Sequence, residues 1–250
     1  MLNTVCKAGK VLNLFSFKQP EWGVTDVAKT LAIPKSSASD IMASLADQGL
    51  LNRMDGGRYR LGWRLFELSQ ILLENTEFRT EARKAMQEVV ERWGETTHLA
   101  VLEGAQAVYV EKMQTPAAVR ILLSRVGARL PAHFSAVGKV LLAHQEWSRV
   151  SRLLQDQGLH AFTPNTITSF DRLASELEQV RKQGYAYDHE EVAIGLCCVA
   201  APIRNLDGRV IAAISLSVPA YRFCPQQDNY TAIILNTARR ISENLGYRSR

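Results

Sequence analysis

The sequence has few cysteines and no long apolar run. Its four cysteines, Cys6, Cys197, Cys198 and Cys224, form no CxxC pair and no metal-ribbon spacing, and two of them are adjacent. Adjacent cysteines rarely bridge each other, so the pattern argues against a disulfide framework and for a reducing, cytoplasmic setting. No stretch approaches the roughly 18 apolar residues of a membrane span. Lys7 and Lys10 interrupt the apolar segment that a signal peptide would need. There is no internal repeat and no low-complexity tract.

What is present is a chain of 250 residues with 46% hydrophobic content, enough for real cores. That length suits one large domain or two modest ones, at roughly 100–200 residues each. The net charge of +5 is compatible with a polyanionic partner without demanding one. Its distribution says more. Residues 1–66 hold nine Lys or Arg against five Asp or Glu, while the rest of the chain is close to neutral. The positive excess therefore sits in the first quarter.

That quarter also carries the clearest pattern. Val5, Val11, Leu12 and Phe15 form a helical stripe within residues 4–18, ending before Pro20. Thr25 is placed to cap a helix running to Leu31. Pro34 opens a second helix with Ala38, Ile41, Met42 and Leu45 facing inward, and Gly49 stops it. Leu51–Arg53 and Arg58–Leu61 flank Asp55-Gly56-Gly57 as a hairpin. Three helices and a hairpin make a winged helix-turn-helix, whose second helix enters a DNA major groove. Lys35, Ser36, Ser37, Ser39, Asp40 and Ser44 are its candidate contacts, with Thr25 before them and Arg53, Arg58 and Arg60 on the wing. The competing account is a solvated serine-rich helix and a surface charge cluster.

Residues 62–75 read as a helix, Asn75 as a hinge, and 77–93 as another helix. The expected division is 1–62 for DNA binding, 63–76 as a linker helix, and 77–250 as a second domain. In that domain strands are expected over 96–102, 107–112 and 119–123, then helices over 135–144 and 170–184. A hairpin over 197–203 and 210–217 turns at 205–208, and a last helix carries Tyr230, Ile233, Ile234, Ala238, Ile241 and Leu245. The fold class is α+β, with helices packed on a mostly antiparallel sheet.

Three blocks of this chain resemble the IclR family of bacterial transcriptional regulators along nearly its whole length. They are LAIPKSSASDIMASLADQGLL with RYRLG, RLPAHFSAVGKVLLA, and GYAYDHEEVAIGLCCVAAPIRNLDGRVIAAISLS. The resemblance implies a winged helix-turn-helix, a linker helix and a GAF-like effector-binding domain, assembled as dimers or dimers of dimers on double-stranded operator DNA. It implies no enzymatic activity, no cofactor and no metal. Asp40 stands where the family often has a basic residue, so the operator sequence does not carry over. Asp188, Cys198, Ser215 and Ser217 fall on positions that line the family's small-molecule pocket. Ala136 and Val137 fall where backbone N–H groups meet the ligand. Leu122, Leu130, Phe134, Val140, Leu141, Leu196 and Ile214 are candidate apolar walls.

The chemistry of these residues is coherent. A helix starting near Ser135 offers free N–H donors to an anion, and two serines spaced by two on a strand share a face. With Arg125, Arg129 and His133 in a nearby loop, the expected effector is an organic acid with an aromatic or short aliphatic body. Simpler roles exist for each residue: Asp188 capping a turn, Cys198 as a buried apolar residue, Glu190 and Glu191 as a solvated pair. Two other functions compete. One is an enzyme with Cys198 as nucleophile near His133 or His189. The other is a metal sensor using Asp188, His189, Glu191 and Cys198.

Overall fold

The computed structural model describes residues 3–116 and 124–248. It divides into two compact units, Met1–Thr76 and Glu77–Arg250.

The first unit runs α1 (Asn3–Leu12), β1 (Glu21–Gly23), α2 (Val24–Thr30), α3 (Lys35–Asp47), β2 (Leu51–Arg53), β3 (Arg58–Leu61) and α4 (Trp63–Glu74). Helix α1 ends six residues short of the expected 18. Ser16 and Gln19 bond each other's backbones, and the Ser16 hydroxyl accepts from Gln19 N–H. This local serine bonding offers the backbone an alternative to helix. The indole N–H of Trp22 then donates to Leu14 O at 3.0 Å, fixing the loop. Thr25 is not a cap: it lies in the first turn of α2, behind an extended Gly23 that takes the cap position without a side-chain bond. Strand β1, unforeseen from the sequence, pairs with β3 to make a three-stranded antiparallel sheet ordered β1-β3-β2.

A small core joins these elements. Val11, Val27, Ala38, Met42 and Leu51 are fully buried, with Ile41, Leu45 and Tyr59 almost so. Each such large side chain contributes roughly 1.5–3 kcal/mol on burial. Gly62 is where β3 turns into α4, and a Cβ there would collide with Gly49 O. Helix α4 buries none of its own residues and exposes Trp63, Phe66, Leu68, Ile71 and Leu72.

The second unit comprises α5 (Glu77–Trp93), β4 (Thr96–Glu103), β5 (Gln106–Met113), β6 (Arg129–Pro131), α6 (Ala136–Ala143), α7 (Trp147–Gln157), α8 (Phe170–Gln183), β7 (Ala186–His189), β8 (Leu196–Arg204), β9 (Val210–Pro219), α9 (Ala220–Phe223) and α10 (Gln227–Asn244). The six strands among its described residues form one antiparallel sheet ordered β6-β5-β4-β9-β8-β7. The strand expected over 119–123 lies outside the described residues. Strands β6 and β7 and helix α7 were not foreseen; the first two are only three and four residues long.

Alternation along the central strands divides the interior into two layers. Cys197, Val199, Ile214, Leu216 and Val218 join Met86, Ile234 and Ile241 from α5 and α10 on one face. Cys198, Ala200 and Ala213 join the α6 and α8 residues Val140, Leu173 and Leu177 on the other. Ile214 therefore faces away from Ser215 and Ser217, which removes it from the expected apolar wall. Gly138 lets α6 press onto the preceding turn, since a Cβ there would overlap the Ala132 backbone.

Candidate functional site

Two regions carry the chemistry, one in each unit. In the first, α3 turns Ala38, Ile41, Met42 and Leu45 inward and leaves Lys35, Ser36, Ser39, Asp40 and Ser44 exposed. Ser36, Ser39 and Asp40 sit near the middle of the outward face, one turn apart. Ser37 is half-buried, and the Ser44 hydroxyl donates to Asp40 O at 2.8 Å, so neither points freely outward. The helix begins after Pro34 with no side-chain cap. Its first N–H groups are left to solvent or a phosphate, and Lys35 stands against the helix dipole, a placement that an anionic partner would offset.

The wing arginines separate. Tyr59, buried, lies opposite Arg53, while Arg60 lies opposite Asn52. Strand alternation puts Arg58 and Arg60 on the other face from Arg53. Arg58 donates to Glu21 O at 2.9 Å and stands 3.8 Å from the Glu21 carboxylate and 3.6 Å from that of Asp26. It ties the wing to β1 and α2 and is not a free cation, contrary to expectation. Arg53 is exposed beside the Met54–Gly57 turn, and Arg60 is exposed on the strand.

In the second unit, a small, partly open cavity of about 20 Å³ is lined by His98, Tyr109, Ser124, Leu130, Ser135, Ala136, Val137, Asp188, Val192, Leu196, Cys198, Ser215 and Ser217. The distant segments meet because β4, β9, β8 and β7 are neighbours in the sheet. His98 is opposite Ser215, Cys198 is opposite Ser217, and Asp188 is opposite Cys198. Ser135 caps α6, its hydroxyl accepting from Gly138 N–H at 3.2 Å, so Ala136 and Val137 open the helix at the cavity wall.

Two of its polar groups have no protein partner among the described residues. One is the Ser215 hydroxyl; the other is Asp188 Oδ2, which is fully buried. Asp188 Oδ1 accepts from Glu191 N–H at 2.7 Å and Val192 N–H at 3.3 Å. Asp188 thus caps its turn with one oxygen and faces the cavity with the other. Burial, reinforced by the charge of Glu191, raises its pKa to about 7. His98 contacts Ser124 Oγ through Nε2 at 2.7 Å and Ser217 Oγ through Nδ1 at 3.4 Å. Burial, aided by Lys112, lowers its pKa to about 3, so the ring is neutral. Cys198 lies 3.1 Å from Ser217 Oγ, and burial with the nearby Asp188 pushes its thiol well above the usual range. A thiol so held is a poor nucleophile.

Behind this wall lies a group that sequence reasoning missed. Lys139 on α6 is 2% exposed and bonds Glu191 at 2.6 Å and Glu176 on α8 at 2.9 Å. Burial pulls Lys139 down, but the two carboxylates outweigh it and hold its pKa above the ordinary value. Glu191 is therefore buried in an ion pair, and the expectation of a solvated pair with Glu190 is wrong. Asp188, His189, Glu191 and Cys198 do not converge: Glu191 turns to Lys139 while Asp188 turns to the cavity. Among the described residues no group of three or more His, Cys, Asp or Glu is placed to hold a metal.

Other expectations for the cavity also shift. Leu130 and Leu196 line it; Val140 and Leu141 are core residues behind it. Phe134 is fully buried against Phe162, with centroids 4.3 Å apart, and does not line it. Leu122 lies outside the described residues. Arg125, Arg129 and His133 are not among the lining residues. Arg129 bonds Glu103 at 2.5 Å, while His133 contacts His160 O and burial lowers its pKa. The basic loop above an apolar floor is absent from the described lining. His98, Tyr109, Ser124, Ser135 and Val192 are additions. Only Ser135, before the helical AVGKVLLA, had a local signal.

Comparison with known proteins follows the same division. A family model described as the IclR helix-turn-helix domain matches residues 4–55, and one described as bacterial transcriptional regulator IclR C-terminal matches residues 70–243. The HTH-type transcriptional regulator XynR of Escherichia coli is 36% identical over 249 residues, covering 99% of this chain and 98% of its own. KdgR of the same organism is 34% identical over 95% of this chain and 92% of its own. Among solved structures, the Thermotoga maritima IclR shares 31% identity with a TM-score of 0.72, over 99% of this chain and 100% of that one. An IclR homologue from Microbacterium hydrocarbonoxydans, complexed with 4-hydroxybenzoate, shares 29% identity with a TM-score of 0.83, over 97% and 99%.

Proposed function

The chain belongs to the IclR family of bacterial transcriptional regulators, DNA-binding proteins and not enzymes. From that premise we propose that residues 1–62 bind operator DNA, residues 63–76 act as a linker helix, and residues 77–250 bind a small organic acid that modulates operator affinity. The observation that carries the effector half is the cavity. Uncapped Ala136 and Val137 N–H groups, a free Ser215 hydroxyl and the unpartnered Asp188 Oδ2 belong to residues lining one small cavity of about 20 Å³, which an effector must widen to enter. The N–H groups and the hydroxyl are the donors a carboxylate needs where no lysine or arginine is among the described lining residues. The 4-hydroxybenzoate bound by the Microbacterium homologue supports the same ligand class.

For the DNA half, Lys35, Ser36, Ser39 and Asp40 reach the major groove from α3, with Thr25, Ser37 and Ser44 at its margins. Arg53 and Arg60 meet the backbone or minor groove from the wing. Arg58 supports the wing from within. Asp40 accepts from cytosine N4 or is held off the phosphates, so the operator differs from one read by a basic residue there. The exposed apolar surface of α4 supports self-association as a dimer or dimer of dimers. A two-fold dimer sets half-sites about one DNA turn apart or a multiple of it, and an effector that changes their separation changes affinity. The regulated genes are proposed to be a catabolic operon near its own gene, in the cytoplasm.

Gel shifts on DNA flanking its own gene, with and without benzoate, 4-hydroxybenzoate and butyrate, test this function. A specific complex whose stability changes with one of these acids is expected. Absence of specific binding under every condition removes the DNA half; a specific complex that none of the acids alters removes the effector half.

A further inference from the structure

The cavity is an unusual place for an acid, because the one charge-bearing group on its described lining is itself a carboxyl. Asp188 is completely buried, and its two oxygens differ. Oδ1 is held by two backbone N–H groups of the turn after β7. Oδ2 is buried without a protein partner among the described residues, on a residue that lines the cavity; the Cys198 thiol is a weak donor toward the Asp188 carboxyl. Among the described residues no lysine or arginine lines the space. Two carboxylates brought together in such a site cannot both ionise, and one must keep a proton.

We propose that Asp188 meets an acidic effector in its carboxylic-acid form, the Oδ2–H donating to the effector's carboxylate, so that binding takes up one proton from solvent wherever the free protein holds Asp188 ionised. This rests on the reading of the cavity as an acid site and adds the regulation of that site by pH. The balance is simple. An effector anion, an ionised Asp188 and one solvent proton give a complex with a single negative charge shared across one O–H···O bond. The remaining ligand oxygen faces the α6 N–H groups and the Ser215 hydroxyl.

The groups around Asp188 leave it as the titrating member. From β5, burial raises the Tyr109 hydroxyl, which stays protonated; from β8, the Cys198 thiol is raised likewise. From β4, His98 stays neutral down to about 3. From α6, Lys139 stays charged and bonds Glu191, the acid that follows β7, whose pKa burial raises against the pull of Lys139. Asp188 itself titrates near 7. With that midpoint, acid affinity is flat below about pH 6 and falls tenfold per unit well above 7, about 30-fold between pH 6 and pH 8.5.

The test is calorimetric titration of the full chain with benzoate, 4-hydroxybenzoate and butyrate, at pH 6 and 8.5, in buffers of different ionisation enthalpy. Uptake close to one proton per acid at pH 8.5, little at pH 6, and the 30-fold weakening are expected. Asp188→Asn keeps the Oδ1 acceptor and offers an amide donor in place of the acid, so it should bind with no uptake and no pH slope. Acid binding by wild type without uptake or slope overturns the proposal alone. So does a wild-type slope that survives in Asp188→Asn, because Glu191 would then be the titrating group. No acid bound at either pH overturns the acid-site reading itself, and this inference with it.

Discussion

Replacing Lys139 with methionine removes the cation that two carboxylates share behind the cavity. Glu176, 30% exposed, can turn to water, but Glu191, 6% exposed, cannot. In the variant Glu191 must either stay charged without a partner or take a proton. Holding it neutral at pH 7.5, from an ordinary pKa of 4.5, costs roughly 4 kcal/mol at 1.36 kcal/mol per unit. That agrees with the roughly 3–5 kcal/mol lost when one partner of a buried pair is removed. The sign follows from linkage. A carboxyl whose folded pKa is raised loses stability as pH rises, so the deficit should shrink to about 1 kcal/mol at pH 5. Adding Glu191→Gln should recover most of it at pH 7.5. Urea unfolding with hydrogen exchange in α6 and β7, at both pH values, measures this. A loss below about 1 kcal/mol at pH 7.5, or an equal loss at pH 5, would refute the account of the triad.

Three further outcomes follow from other sites. His98 has a depressed pKa in the fold, so its contribution is complete above 6.5 and lost as pH falls toward 3, on the order of 5 kcal/mol in total; His98→Asn should flatten the stability profile between pH 6.5 and 4 in urea titrations. Arg53→Ala and Arg60→Ala should each weaken DNA binding uniformly across sequences and lower the salt slope by about 1, measured by anisotropy over a salt series. Arg58→Ala should leave that slope unchanged and instead speed hydrogen exchange in β1 and β3. Gly138→Ala drives a Cβ into the Ala132 backbone, so it should cost about 1–3 kcal/mol in thermal unfolding and abolish effector binding by displacing the α6 terminus.

The sequence made the helical and strand-forming periods visible, and with them most of the elements. The α3 core positions Ala38, Ile41, Met42 and Leu45, the wing, and the helix at Glu77–Trp93 were legible because each is a local pattern. The shorter pieces were not. Strand β1 has three residues and exists because Glu21–Gly23 pairs with a strand some 37 positions away. The cavity was half legible. Ser215 and Ser217 share a face by strand alternation, a rule that also removes Ile214 from it. His98 and Ser124 carry no local signal: the neighbouring placement of β4 and β9 makes His98 part of the site, and Ser124 joins it through its contact with His98. Lys139 hid in an apolar helix, where a lone lysine gives no hint that its partners are 37 and 52 residues downstream. Arg58 shows the converse: charge on a wing was legible, but the intramolecular partners beside it were not.

The most direct test of the central claim is an anisotropy titration of the full chain on a genomic fragment it binds specifically. It should compare wild type with Ser215→Ala/Ser217→Ala, with and without an acid that binds wild type. The account predicts that the acid shifts wild-type operator affinity by about fivefold or more, equivalent to a coupling of about 1 kcal/mol. The double variant should bind the fragment without responding to the acid. An acid response that persists undiminished in the double variant, or operator affinity indifferent to the acid in wild type, would contradict it.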